Sequence, residues 1–211
     1  MTDPCVIFDL DGTLVDSETL GSQALLDMLP ELNEPLHVIS ERYRGQRMAN
    51  IMADVEKRLG NKLPHNFEND YREYAASRIE AELKPMPGVL AMLEKLHLAR
   101  CVASSAPKPK IELALNVCGL APFFGRDVFS CYEIGAWKPD PAIFLHAAGE
   151  MQVTVERCIV VEDSDVGVSA AVAAGMQVLR YDPAGSYITS ESVRCFAHMD
   201  ELLPLLIDYK S

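Results

Sequence analysis

The sequence predicts an α/β fold, a doubly wound parallel sheet with an inserted α-helical module, on three observations. The chain opens with an apolar run, Pro4 to Phe8, that breaks at Asp9-Leu10-Asp11-Gly12-Thr13-Leu14; this reads as a buried strand ending in a sharp turn. From about residue 85 onward, short apolar runs alternate with helical patterns, the order that gives right-handed crossovers and a sheet covered on both faces. Between these regions lie roughly seventy residues of helical patterning without a strand, a module to themselves.

Each element has its own signal. After the opening strand, Asp16 and Ser17 are placed to cap a helix running to about Leu29, with Leu20, Ala24, Leu25 and Met28 on one face. Ala49 to Leu59 and Phe67 to Leu83 continue the helical spacing. Lys84-Pro85-Met86-Pro87-Gly88 then punctuates the chain, as a return from the module would. The expected alternation is a helix Val89 to Leu96, a strand Arg100 to Ser104, a helix Lys110 to Val117 and a short strand Val128 to Ser130. There follow a helix Pro141 to Met151, a strand Cys158 to Val161, a helix Asp165 to Ala174, a strand Met176 to Tyr181 and a closing helix Met199 to Ile207. Ala184 to Ser192 carries no strong signal. The expected division is a core of residues 1–15 and 86–211 with an insertion of residues 16–85.

The 211 residues suffice for one core domain plus that insertion, and 49% hydrophobic with 24% charged residues is an ordinary globular balance. A net charge of −12 argues against nucleic acid or an anionic membrane surface as the main partner. It does not exclude a small anion, which responds to local charge. No apolar run approaches ~18 residues and no basic-then-apolar start is present, so neither a membrane span nor a signal peptide is expected. Six cysteines without a Cys-x-x-Cys pair read as small buried residues of a reducing, cytoplasmic setting. The five histidines show no metal-binding spacing.

Chemistry gathers where strands end. Asp9 and Asp11 stand at the sheet edge where ligands bind in open α/β folds, and their repulsion calls for a cation or protons; a turn that merely uses two acids is the alternative. Ser104-Ser105-Ala106, at the second strand's end, offers hydroxyls and N–H groups for phosphate oxygens, or else a helix cap. In Trp137-Lys138-Pro139-Asp140-Pro141 two prolines frame Lys138, so its ammonium is aimed, as charge stabilisation on a phosphoryl group requires. Trp137 reads as a packing anchor. In Val160-Val161-Glu162-Asp163-Ser164-Asp165 an apolar strand gives way to acids. Asp163 is suited to complete an oxygen-rich metal site with Asp9, Glu162 to act through a bound water, and Asp165 or Ser164 to cap the next helix. Magnesium fits such a site better than calcium, since it keeps waters and substrate phosphate in its octahedron.

In that order, DLDGTL, a serine after an apolar strand, lysine in KPDP and VVEDS resemble the haloacid dehalogenase superfamily of phosphohydrolases, over essentially the whole chain. The insertion is similar to that family's small helical cap. The resemblance implies a Rossmann-like core with Asp9 as nucleophile, Asp11 as general acid and base, Ser104 and Ser105 with Lys138 on the phosphate, and magnesium held by Asp9, Asp163 and the Asp11 carbonyl. The family's dehalogenases lack an aspartate at the position of Asp11, so phosphate chemistry is implied instead. Arg42-Tyr43-Arg44-Gly45-Gln46-Arg47 resembles a cap loop of sugar phosphatases and β-phosphoglucomutase, and Arg44, Gly45 and Arg47 are the expected substrate contacts. YEIGAWKPDPAIFLHAA is similar to 6-phosphogluconate phosphatase-like enzymes. The implied activity is therefore a monomeric magnesium-dependent phosphatase for a small phosphorylated metabolite. A phosphosugar mutase is the alternative, as is a phosphoacceptor signalling domain, for which a helical cap has no obvious purpose. Hinges are expected at Val15 to Glu18 and Glu82 to Pro87.

Overall fold

The computed structural model describes residues 4–187, 189–190 and 192–207. Residues 1–3 and 208–211 of the expected core range lie outside the described residues, as do Ile188 and Glu191. In chain order the elements are β1 (Cys5–Phe8), α1 (Ser17–Met28), α2 (Leu36–Tyr43), α3 (Met48–Leu59), α4 (Phe67–Glu82), α5 (Val89–Lys95), β2 (Ala99–Ser104) and α6 (Lys108–Val117). Then come α7 (Ala121–Phe124), β3 (Val128–Ser130), α8 (Cys131–Ile134), α9 (Ala142–Glu150), β4 (Cys158–Glu162), α10 (Asp165–Ala173), β5 (Gln177–Tyr181), β6 (Val193–Phe196) and α11 (Leu202–Ile207).

The six strands form one parallel sheet of order β3-β2-β1-β4-β5-β6, with β1 central and the order reversing beside it. Successive side chains of a strand take opposite faces. Val6 and Phe8 therefore join Val102, Ile159, Val161 and Leu179 in one core under α5, α6 and α11. Cys5 and Ile7 join Cys101, Ala103, Cys158, Val160 and Val178 in the other, under α9 and α10. Burying each large side chain such as Phe8 or Ile7 contributes about 1.5–3 kcal/mol. All six cysteines are free thiols, five of them buried. Among the described residues no helix is long and apolar enough to cross a membrane.

Helices α1 to α4, between β1 and β2, bury a third cluster that includes Ala24, Leu25, Ile39, Val55, Phe67 and Tyr71. The two chain segments linking this module to the sheet run side by side. Asp16 N–H donates to the Lys84 carbonyl at 3.1 Å and Met86 N–H to the Leu14 carbonyl at 2.9 Å. Asp16 does occupy the N-cap position of α1, but its side chain makes no capping bond. Ser164 caps α10, its hydroxyl accepting the Gly167 N–H at 3.1 Å, whereas Asp165 pairs with Arg180 at 2.7 Å.

Three elements lack a counterpart in the sequence reading: β6 and the four-residue helices α7 and α8. β6 is a short edge strand with three half-buried residues, so it never shows the apolar run of the central strands. The closing helix starts at Leu202 because Met199–Glu201 forms a tighter 3₁₀ turn.

The entry into α10 leaves no room at Gly167: an added Cβ would lie 1.7 Å from Glu162 Oε1. Gly to Ala inside a helix ordinarily stabilises by about 0.5–1 kcal/mol. Here the sign reverses, and Gly167→Ala is expected to destabilise by about 1–3 kcal/mol in chemical denaturation. A more stable variant would refute the packing.

Candidate active site

Asp9 and Asp11 follow β1, Ser104 to Ala106 end β2, and Glu162 and Asp163 end β4, so all lie at the carboxyl edge flanking the reversal in strand order. Lys138, from the loop before α9, enters from the side. Its Nζ donates to Asp9 Oδ1 at 2.5 Å and Glu162 Oε1 at 2.7 Å, with the Phe144 ring centroid 5.0 Å away. Burial opposes the ammonium charge, but Asp9 and Glu162 more than offset this and hold its pKa above the usual lysine range. Burial also pushes Asp9 well above the usual carboxylate range, against the pull of Lys138 and with the help of Glu162 and Asp163.

Asp9, Glu162 and Asp163 each bring a carboxylate oxygen within 4.8 Å of the others. Three buried carboxylates around one ammonium leave excess negative charge, and an all-oxygen donor set of this kind suits a hard divalent cation. Asp163 is oriented by Thr13, whose hydroxyl donates to Oδ1 at 3.0 Å, and by Arg180, whose Nη2 donates to its carbonyl at 3.0 Å. Gly12 permits this approach, since a Cβ there would meet Asp163 Oδ2 at 2.5 Å and the backbone has φ of +84°. Glu162 belongs to the cluster but has both oxygens engaged. Oε1 accepts from Lys138, and Oε2 from the Ser164 N–H at 2.7 Å and hydroxyl at 3.0 Å.

Asp11 lies in different surroundings. Its Oδ1 accepts from the Ser17 hydroxyl and from Lys110 Nζ, the latter at 2.8 Å. Burial alone would raise its pKa, yet Lys110 and Ser17 hold it below the usual range. Lys110 was not among the residues singled out in the sequence, although a signal exists. Lys108 and Lys110 both stand in the first turn of α6, which contains no acid. There a cation opposes the helix dipole by about 0.3–1 kcal/mol, a placement that packing does not explain. The Ser104 hydroxyl is buried and accepts the Ala106 N–H at 3.0 Å, so it shapes the turn. Ser105 and Ala106 line the cavity, with Ser105 Oγ 3.9 Å from Cys131 Sγ.

The loop between α2 and α3 reaches down onto this edge. Gly45 has φ of +66°, and a Cβ on it would lie 2.8 Å from Ser164 Cβ. Its N–H donates to Glu18 Oε1 at 2.9 Å. Arg44 Nε lies 3.4 Å from Glu18 Oε2 and 3.9 Å from Asp163 Oδ2. Arg47 stacks its guanidinium over Trp137, 3.7 Å from the ring centroid. Arg42 instead pairs with Glu34 at 2.6 Å inside the helical module. The cleft between the loop and the strand edge measures about 150 Å³.

Glu18, also absent from the sequence-based candidates, is pushed up to about 8 by burial, against the Gly45 N–H and with Asp11 and Asp9 adding to the rise. From an ordinary value of 4.5 up to about 8, the folded metal-free protein holds a proton that the unfolded chain has released. Stability from this group therefore falls as pH rises through that window. Glu18→Gln keeps an acceptor for the Gly45 N–H, so it should flatten the decline between pH ~5 and ~8 in urea titrations. An unchanged slope would place the proton elsewhere.

The chain is 35% identical over 202 residues to the 6-phosphogluconate phosphatase of Escherichia coli K12, covering 93% of this chain and 91% of that one. A haloacid dehalogenase-like protein of unknown function from Agrobacterium tumefaciens superposes with a TM-score of 0.83 at 30% identity, covering 99% of this chain and all of that one. A putative β-phosphoglucomutase from Thermotoga maritima superposes at 0.75 with 26% identity, covering 97% and 99%. The haloacid dehalogenase-like hydrolase model matches residues 4–175, and with this fold and this acid-lined strand edge the chain belongs to that hydrolase family.

Proposed function

We propose that the protein is a magnesium-dependent phosphatase of a small phosphorylated metabolite, a sugar or sugar-acid phosphate, working through an aspartyl-phosphate on Asp9. The observation that carries this reading is the buried contact of Asp9 with Lys138 beside a second, differently held carboxylate, Asp11. The names of the related phosphatases support it, and the six free cysteines suit a cytoplasmic setting. The working unit is taken to be one chain, since one chain supplies every group used.

The donor set fits Mg²⁺, which Asp9, Asp163 and the Asp11 carbonyl would hold with Glu162 beside them. When bound, the ion offsets carboxylate charge and polarises the phosphoryl oxygens. Lys138 screens the approach of one anion to another, and Ser105, on the cavity wall, receives a phosphate oxygen. An Asp9 carboxylate oxygen forms a bond to phosphorus as the bond to the leaving oxygen breaks, and Asp11 gives that oxygen its proton. In the second half, Asp11 takes a proton from water as the water oxygen attacks phosphorus. The Asp9–phosphorus bond breaks, inorganic phosphate leaves, and Asp9 is restored.

Residues 16–85 act as a cap whose Arg44 and Gly45 meet the core at Glu18, Ser164 and Asp163, with Arg47 on Trp137. Closing it excludes bulk water and brings Arg44 to the substrate. The match to a putative β-phosphoglucomutase favours a second reading, in which the same site returns the phosphoryl group to a sugar. An isomerised sugar phosphate without released phosphate would establish the mutase.

Asp9→Asn should lose turnover by roughly 10³-fold or more while keeping its fold by circular dichroism. Normal turnover would overturn the nucleophile assignment. Chelation of divalent metal should likewise stop phosphate release, and added Mg²⁺ should restore it. Arg44→Ala should lose activity on sugar phosphates by roughly tenfold or more, with little change on an aryl phosphate. Equal loss on both would move Arg44 to the reacting centre.

A further inference from the structure

The active-site cavity does not end at the catalytic carboxylates. Between α4 of the helical module and α6 of the core a second chamber of about 280 Å³ adjoins it. Tyr71, Arg72 and Lys110 border both spaces and so form the neck between them. Beyond the neck the walls are Ala75, Ala76, Ile79 and Leu113, and no carboxylate lines the chamber.

We propose that Arg72 and Lys110 form a second anion site at this neck, and that it holds the carboxylate of a phosphorylated sugar acid. The inference rests on the phosphatase reading and narrows its substrate class.

Unused donors support it on both sides. Arg72 gives Nε and Nη2 to Glu68 Oε1 at 3.1 and 2.6 Å, and Nη2 also to the Tyr132 hydroxyl at 2.9 Å. Its Nη1 makes no hydrogen bond with the described residues. Lys110 Nζ makes one hydrogen bond, to Asp11, out of the three an ammonium can donate. Both side chains are about one-third exposed to the cavity and its mouth, 30% for Arg72 and 36% for Lys110. Tyr71 holds the neck in place, its hydroxyl donating to the Gly21 carbonyl at 3.2 Å.

The pairing of donors fits the ligand. One guanidinium nitrogen, Nη1, and one ammonium, from different helices, match the two oxygens of a planar carboxylate. A carboxylate would meet donors that the existing pairs, Arg72 with Glu68 and Lys110 with Asp11, leave unused, whereas a neutral sugar would gain hydrogen bonds there without charge complementarity. Lys138 remains committed to the reacting end, where it already bridges Asp9 and Glu162.

Steady-state phosphate release from 6-phosphogluconate, glucose 6-phosphate, glucose 1,6-bisphosphate and p-nitrophenyl phosphate tests this. The wild type should favour the aldonate phosphate over the aldose phosphate by roughly tenfold or more in kcat/KM. In Arg72→Gln, the aldonate-to-aryl phosphate ratio of kcat/KM should fall by roughly tenfold through a raised KM, and Arg72→Lys should recover part of it. Lys110→Gln touches Asp11 and should lower turnover of every substrate, with the largest KM change on the aldonate. An unchanged ratio in a folded Arg72→Gln overturns the site. So does equal use of aldose and aldonate phosphates, or a preference for the bisphosphate, and each of these leaves the phosphatase reading standing. Release from p-nitrophenyl phosphate alone overturns the sugar-phosphate reading and this inference together.

Discussion

The buried ammonium of Lys138 between Asp9 and Glu162 is the constraint on which the rest of the site depends. Removing one partner of such a buried set typically costs about 3–5 kcal/mol, because the remaining charges lose their compensation. The consequences spread outward through the chain. Glu162 fixes Lys138 with one oxygen and the start of α10 with the other, and Gly167 has no side chain because that carboxylate occupies the space. The sheet, the lysine loop and α10 thus meet at a single charged point. Their rigidity there is what keeps Asp9 aimed.

Two aspartates separated by one residue lie in different surroundings. Burial drives the Asp9 pKa upward, with Glu162 and Asp163 adding to the rise and Lys138 opposing it. Asp11 faces the mouth of the cavity, where Ser17 and Lys110 hold it down.

The parts of this molecule visible in the sequence are those encoded locally. The central strands announce themselves as apolar runs because both faces are covered, and the acids after β1 and β4 stand out by contrast. The edge strand β6, half-buried and carrying Arg194 and Cys195, has no such contrast. Ser104 and Ser105 were equivalent by motif; only the turn geometry shows that Ser104 turns inward to the Ala106 N–H while Ser105 faces the cavity. Glu18, Arg72 and Lys110 belong to three different helices, and their convergence depends on how the helical module docks on the core. No spacing rule reports such a convergence. Arg42 shows the converse, since its place in an arginine-rich loop does not reveal that Glu34 already neutralises it.

The two paired linkers at Leu14 to Asp16 and Lys84 to Met86 carry a different kind of consequence. Because the chain leaves the core and re-enters it at one place, through hydrogen bonds between backbone atoms, the two ends of the inserted segment are held together independently of the side chains between them. The helical module is in this sense a cassette. A lineage could lengthen, trim or exchange it, and so change what the enzyme admits, without disturbing the strand edge where the reaction occurs.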